Sequence, residues 1–154
     1  MNLWSAARFQ KWERMAGVEL SETVLSFTRK ALDSVDLSTA SADAIPFEDN
    51  SFDVVLSAGT LVCIGPEEIE KSLSEICRVS RRWIVLVEPI EIDPRYATAH
   101  GREDPFSNTM YWIRDYAGLL EGRAALRSLV PMPKSLQLGH MNSIAVFELT
   151  QPQD

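Results

Sequence analysis

No run of apolar residues in the 154-residue chain approaches the ~20 needed to cross a bilayer as a helix. Basic residues are scarce: 15 Lys and Arg stand against 22 Asp and Glu, a formal net charge of -7. A surface that acidic repels phosphate backbones and anionic lipid unless cations are concentrated somewhere. The one concentration, Arg78, Arg81 and Arg82, closes a predicted helix, where cations complement the helix dipole. Neither a nucleic-acid nor a membrane partner is therefore expected. Two cysteines, Cys63 and Cys77, and two histidines, His100 and His140, lack metal-ligand spacing, so no metal is implied. Reduced thiols in a cytoplasmic protein are the expectation. The opening MNLWSAARFQKWERM has no apolar core ahead of a cleavage site, so no signal peptide is expected. Glycine is sparse too: no GxGxG occurs, and the only early glycine is Gly17.

What is present suits one compact domain over residues 1–154. Hydrophobic residues make up 45% and charged residues 24%, enough for a real core and unlike a disordered chain. Trp4, Ala7 and Trp12 fall near one face of a helix over residues 3–12, with Phe9 off it. MAGVEL, residues 15–20, is a short apolar run with Glu19 near its end. Ser21 can cap a helix from Glu22 to Leu32, and Val35 to Ser41 reads as a strand entering a turn near Pro46. FDVVLS, residues 52–57, has the near-continuous apolar character of a strand buried on both faces. Pro66 opens a helix with Glu67, Glu68 and Glu70 in its first turn and Ile69, Leu73 and Ile76 inward. WIVLV, residues 83–87, is a second buried strand, which completes a βαβ crossover with parallel strands. A polar stretch after Pro89 runs through Asn108, too long for an ordinary connection, and reads as a lid or a linker. Met110 to Leu120 reads as a helix ended by Gly122. Residues 124–130 and 143–149 look like a closing strand pair.

Open α/β sheets bind ligands beyond the carboxyl ends of their strands. Glu19 is at one such end, where a carboxylate can accept both hydroxyl protons of a ribose. Ser41, Ala42 and Asp43 follow the next strand, where backbone groups can grip an adenine edge. Ser57, Ala58 and Gly59 close FDVVLS and are small enough for a ligand's amino-acid tail to lie against the backbone. Glu88 and Pro89 end the last strand of the crossover. The bland alternatives are a solvated carboxylate, a self-bonded turn and a structural Asp53; Cys63 reads as a small buried residue and Trp83 and Trp112 as core.

AGVELSETVLSFTRKAL, SADAIPFEDNSFDVVLSAGTLVCI and RVSRRWIVLVEP together resemble the cofactor-binding half of class I S-adenosylmethionine-dependent methyltransferases. The resemblance covers roughly residues 14–90 in register and order. It implies an α/β fold: a three-layer Rossmann-like sheet, mostly parallel with a closing antiparallel strand, in the order 3-2-1-4-5-7-6. Residues 14–90 would form the cofactor-binding part, 91–123 the long loop and helix of an acceptor pocket, and 124–150 the closing strand pair. It further implies S-adenosylmethionine as cofactor, with Glu19 on the ribose, Ser41 and Ala42 at the adenine, and Ser57 and Ala58 facing the methionine portion. Ser41 stands where many members have Asp, and Cys63 where members often have His.

Family members place a first strand and a glycine-rich turn before the helix read at residues 3–12. Here the usual first strand is lacking, which leaves two strand edges open at the sheet centre. Either residues 15–19 pair directly with residues 54–57, or a homo-oligomer or partner chain fills the gap. The implied reaction is methyl transfer to a small-molecule acceptor, impaired if the glycine turn is lost. Tyr96, His100, Tyr111, Arg114, Asp115 and Tyr116 lie where the family builds its acceptor pocket, and His100 is the nearest candidate base. The rival expectations are a non-catalytic methyltransferase-like remnant or binding subunit, and a truncated reading of a longer gene. A nucleotide-binding oxidoreductase is less favoured, since it too would need a glycine turn.

Overall fold

The computed structural model of the chain describes residues 12–32, 34–91, 102–103, 111–132 and 143–150. The expected helix over 3–12 lies outside these, apart from Trp12. By internal packing the chain divides into two units, Met1–Pro46 and Phe47–Asp154.

In the first unit, β1 (Ala16–Glu19) pairs in parallel with β2 (Asp36–Thr39), and α1 (Glu22–Ala31) makes the crossover between them. The Ser21 hydroxyl caps α1 by accepting from the Val24 amide at 3.4 Å. Arg29 and Lys30 close its last turn, where cations oppose the dipole of the helix end. Among the described residues of this unit, Leu25, Leu32 and Val35 are buried, while Leu20, Val24 and Phe27 stand exposed.

The second unit is built on four strands in the order β3-β4-β8-β7. β3 (Phe52–Ala58) runs parallel to β4 (Ser80–Glu88), and β8 (Ser143–Leu149) is antiparallel to both β4 and β7 (Ala124–Pro131). Only β8 is therefore reversed, as the closing antiparallel strand implied. Within each unit the strand order follows the family sheet, 3-2 in the first and 4-5-7-6 in the second. Within its own unit β1 is hydrogen-bonded to β2, and β3 to β4. Two short strands, β5 (Arg102–Glu103) and β6 (Trp112–Ile113), form an antiparallel pair.

α2 (Ile69–Val79) links β3 to β4 and buries Ile69, Leu73, Ile76, Cys77 and Val79. Register places Val55, Ser57, Ile84, Leu86, Phe147 and Ala145 on one shared face, and the last four are nearly or wholly buried. Each large apolar side chain removed from water there stabilises by roughly 1.5–3 kcal/mol.

Several local expectations change. β3 is not buried on both faces: Val54 and Leu56, on its opposite face, are 40% and 44% exposed. Pro66 to Glu68 form a turn, with the Ile69 amide donating to the Gly65 carbonyl, and the helix begins only at Ile69. Strand pairing starts at Ser80, so Arg81 and Arg82 belong to β4, where they meet Asp53 and Glu148. Residues 110–120 are not one helix. Trp112 and Ile113 are extended, as aromatic and β-branched residues favour. The Asp115 carboxylate then caps a single turn, α3 (Tyr116–Leu119), by accepting from the Gly118 amide.

Candidate functional site

In the first unit, the expected nucleoside contacts lie at one end of the two-stranded sheet. Parallel pairing brings the ends of β1 and β2 together, and the Ala40 amide donates to the Glu19 carbonyl at 3.2 Å. Ser41 and Ala42 follow at once in a turn closed by the Ala44 amide on the Ser41 carbonyl, 3.1 Å. Glu19 is half-buried. Its Oε1 accepts the Ser21 amide at 3.0 Å, and no bond to Oε2 is found among the described residues. A carboxylate so placed has lone pairs left for two neighbouring hydroxyls. Nearby, Glu22 accepts from the Thr39 hydroxyl and from Arg29, which together hold its carboxyl below the usual range.

In the second unit, Ser57 and Ala58 end β3, and Gly59 follows at φ +69°, a conformation only glycine adopts without strain. Its amide donates to the Val87 carbonyl at 3.0 Å. The Ser57 hydroxyl is buried and donates to Glu88 Oε1 at 2.9 Å, so this residue offers a ligand its backbone rather than its side chain. Glu88, wholly buried at the end of β4, also accepts the amides of Thr60, Leu61 and Val62 at 3.1, 3.1 and 3.2 Å. Burial pushes its carboxyl up, and the Ser57 hydroxyl and the three amides pull the other way.

Arg114, equally buried, approaches the same turn from outside β4. Its Nη1 donates to the Leu61 carbonyl at 2.8 Å and its Nη2 to the Ile64 carbonyl. The guanidinium also lies over the Trp112 ring, 5.3 Å from its centroid, and burial draws its pKa down. Tyr116 is buried beside it, yet its hydroxyl makes no hydrogen bond of ordinary geometry; burial, then the Glu88 charge, push that hydroxyl up. The backbone reinforces the join: the Glu91 amide donates to the Arg114 carbonyl at 2.8 Å.

Glu19, Ser41 and Ala42 are thus brought together in one unit, and Ser57 and Ala58 in the other. Arg114 and Tyr116, expected beside a solvated acceptor loop, are core residues instead. Cys63, expected buried, is exposed, because Leu61 and Val62 take the inward positions of the turn. Tyr96 and His100 lie outside the described residues. Sequence reasoning noted Glu88 but gave it no task, and missed the part Arg114 plays. An acid directly after the apolar WIVLV was the available signal, since a charge in such a place must be bonded.

The methyltransferase domain family profile matches residues 2–83. No curated protein matches the sequence. Among solved structures, a SAM-dependent methyltransferase from Methanosarcina mazei is similar at TM-score 0.65 and 15% identity, over 87% of this chain and 81% of that one. The 1,6-didemethyltoxoflavin-N1-methyltransferase of Burkholderia thailandensis, solved with 1,6-didemethyltoxoflavin and S-adenosylhomocysteine, is similar at TM-score 0.70 and 14% identity, over 96% and 66%. Magnesium protoporphyrin IX methyltransferase from Synechocystis, with bound SAH, gives TM-score 0.62 and 13% identity, over 89% and 64%. At such identities the likeness establishes the shared fold.

Proposed function

The chain belongs to the methyltransferase domain family, and from that membership we propose that it binds S-adenosylmethionine and directs methyl transfer to a small-molecule acceptor. The observation that carries this reading is Glu19: a half-buried carboxylate at the carboxyl end of a parallel strand, with one oxygen engaged by the Ser21 amide and the other left over. In the first unit, Glu19 would accept the ribose hydroxyls, and the Ser41–Ala42 turn would meet the adenine edge. In the second, the backbone of Ser57 and Ala58, with glycine next in line, would accommodate the methionine end. When bound, the cofactor's sulfonium supplies an activated methyl group. The chain's own part is to position the reactants and exclude water, which can lower such a barrier substantially.

An acidic chain, -7 overall, suits a small-molecule acceptor better than a nucleic acid. No helix among the described residues is long and apolar enough to cross a membrane. We read residues 1–154 as one domain and place it in the cytoplasm, in keeping with its free cysteines.

A second reading has its own support. The sequence has no GxGxG, and β1 and β3 each have a strand partner on one side only among the described residues. On this reading the chain is a non-catalytic binding subunit whose strand edges a second copy or a partner chain covers. Isothermal titration with S-adenosylmethionine separates the two. Micromolar binding is expected from the enzyme; no heat at millimolar ligand, from a folded sample, favours the subunit. Sedimentation of the same sample reads whether the chain is alone.

A further inference from the structure

We infer that Glu88 and Arg114 are positioning residues that hold the turn after β3 in the shape needed to receive the methionine end of the cofactor. This rests on the function proposed above and assigns a task within it to two side chains that never touch the ligand. The turn spans residues 59–64 and follows directly on Ser57 and Ala58. A buried carboxylate from β4 takes three of its consecutive amides, Thr60, Leu61 and Val62, at 3.1–3.2 Å. A buried guanidinium takes two of its carbonyls, Leu61 and Ile64. Opposite charges thus grip the donors and the acceptors of one short segment, and both charges are wholly buried.

Three successive amides converging on one point form an anion-binding nest. Here the protein's own carboxylate fills it. The ligand's carboxylate must therefore be met elsewhere, and the turn contributes shape rather than those amides. Ser57 links the clamp to the strand tip, because its hydroxyl donates to the same Oε1 that the Thr60 and Leu61 amides share. A change at Glu88 therefore propagates to the point where the amino-acid tail would lie.

The test compares two ligands in the intact chain. S-adenosylhomocysteine carries the amino-acid end; methylthioadenosine has the same nucleoside without it. In Glu88→Gln, S-adenosylhomocysteine should bind about tenfold more weakly by calorimetry, while methylthioadenosine binds as it does to the parent. Hydrogen exchange at the Thr60, Leu61 and Val62 amides should quicken by about tenfold or more, as expected when a bond to a charged acceptor is lost. Equal weakening of both ligands would mean general loss of structure and would overturn the positioning role, as would unchanged exchange. If the parent binds neither ligand, the functional reading falls and the role toward the cofactor falls with it, while the exchange comparison still decides whether Glu88 holds the turn. Should Glu88→Gln not fold, Ser57→Ala removes one donor to the clamp. The same asymmetry between the ligands is then expected at about threefold, and its absence counts against the inference.

Discussion

At the end of β1, Glu19 is half-buried and receives one hydrogen bond, whereas at the end of β4 Glu88 is sealed from water and receives four. Both are glutamates closing a strand of a parallel pair, where α/β sheets hold their ligands. The difference lies in what surrounds them. Around Glu19 the described residues of the unit include few buried apolar side chains, and the chain after it leads straight into α1. Glu88 is capped by the amides of a turn whose carbonyls Arg114 holds. A carboxylate sealed from water with both oxygens engaged inside the protein is out of a ligand's reach; one with an oxygen unbonded among the described residues and partial access to water is not. Exposure and unused bonding capacity distinguish the two roles better than position on the strand.

The most severe way to break this contrast is to delete Glu88. Glu88→Ala leaves three buried amides and the Ser57 hydroxyl without their acceptor, and should cost about 3–5 kcal/mol in urea unfolding. That is a large fraction of the roughly 5–15 kcal/mol that holds a domain folded. A midpoint like the parent's would mean that the clamp contributes little. Glu19→Ala should do the reverse. Stability should stay within about 0.5 kcal/mol. Affinity for S-adenosylhomocysteine and for methylthioadenosine should fall together by about tenfold or more, since both carry the ribose. Loss of stability without loss of affinity would place Glu19 in the fold and not in the site.

Ser21→Ala sharpens the comparison from the neighbouring position. It removes the α1 cap while keeping the Ser21 amide that Glu19 accepts. Thermal unfolding should show a cost of about 0.5–1 kcal/mol, at the low end because the capping bond is 3.4 Å long. The smallest effect concerns Glu22, which is fully exposed. Its folded carboxyl lies below the ordinary value, so its contribution is present above the unfolded pKa and disappears as pH falls through the lowered one. Parent and Glu22→Gln should differ slightly in melting temperature at neutral pH, coincide well below pH ~4, and draw together in high salt. Buried Glu88 should show no such screening.

Much of the fold was legible where one local signal was strong. FDVVLS and WIVLV are apolar runs that marked two strands, and Ser21 sits where a cap must. The strand order within each unit followed from the family resemblance. Residues 110–120 were misread as one helix because Asp115, whose capping carboxylate marks the true helix start, was passed over inside the span. The exposure of Val54 and Leu56 could not be read either, since an apolar run does not say what packs over each face of its strand. For the proposed site, the sequence signal at Glu19 was a carboxylate at a strand end, and the structure has it there, half-buried. Arg114 gave no hint, because the carbonyls it binds are 53 and 50 residues away in sequence. A buried ion's role depends on its partners, and these are set by tertiary contact.

The distance along the chain between the clamp and its turn also orders events in time. Contacts between remote residues form late, because closing a long loop costs entropy before any bond repays it. On a ribosome, residues 59–64 emerge well before Glu88 and long before Arg114. A nascent chain halted ahead of residue 114 should carry this turn loose and readily cut by protease. The strand tip at Ser57 and Ala58 would then take its final form only after residue 114 has emerged.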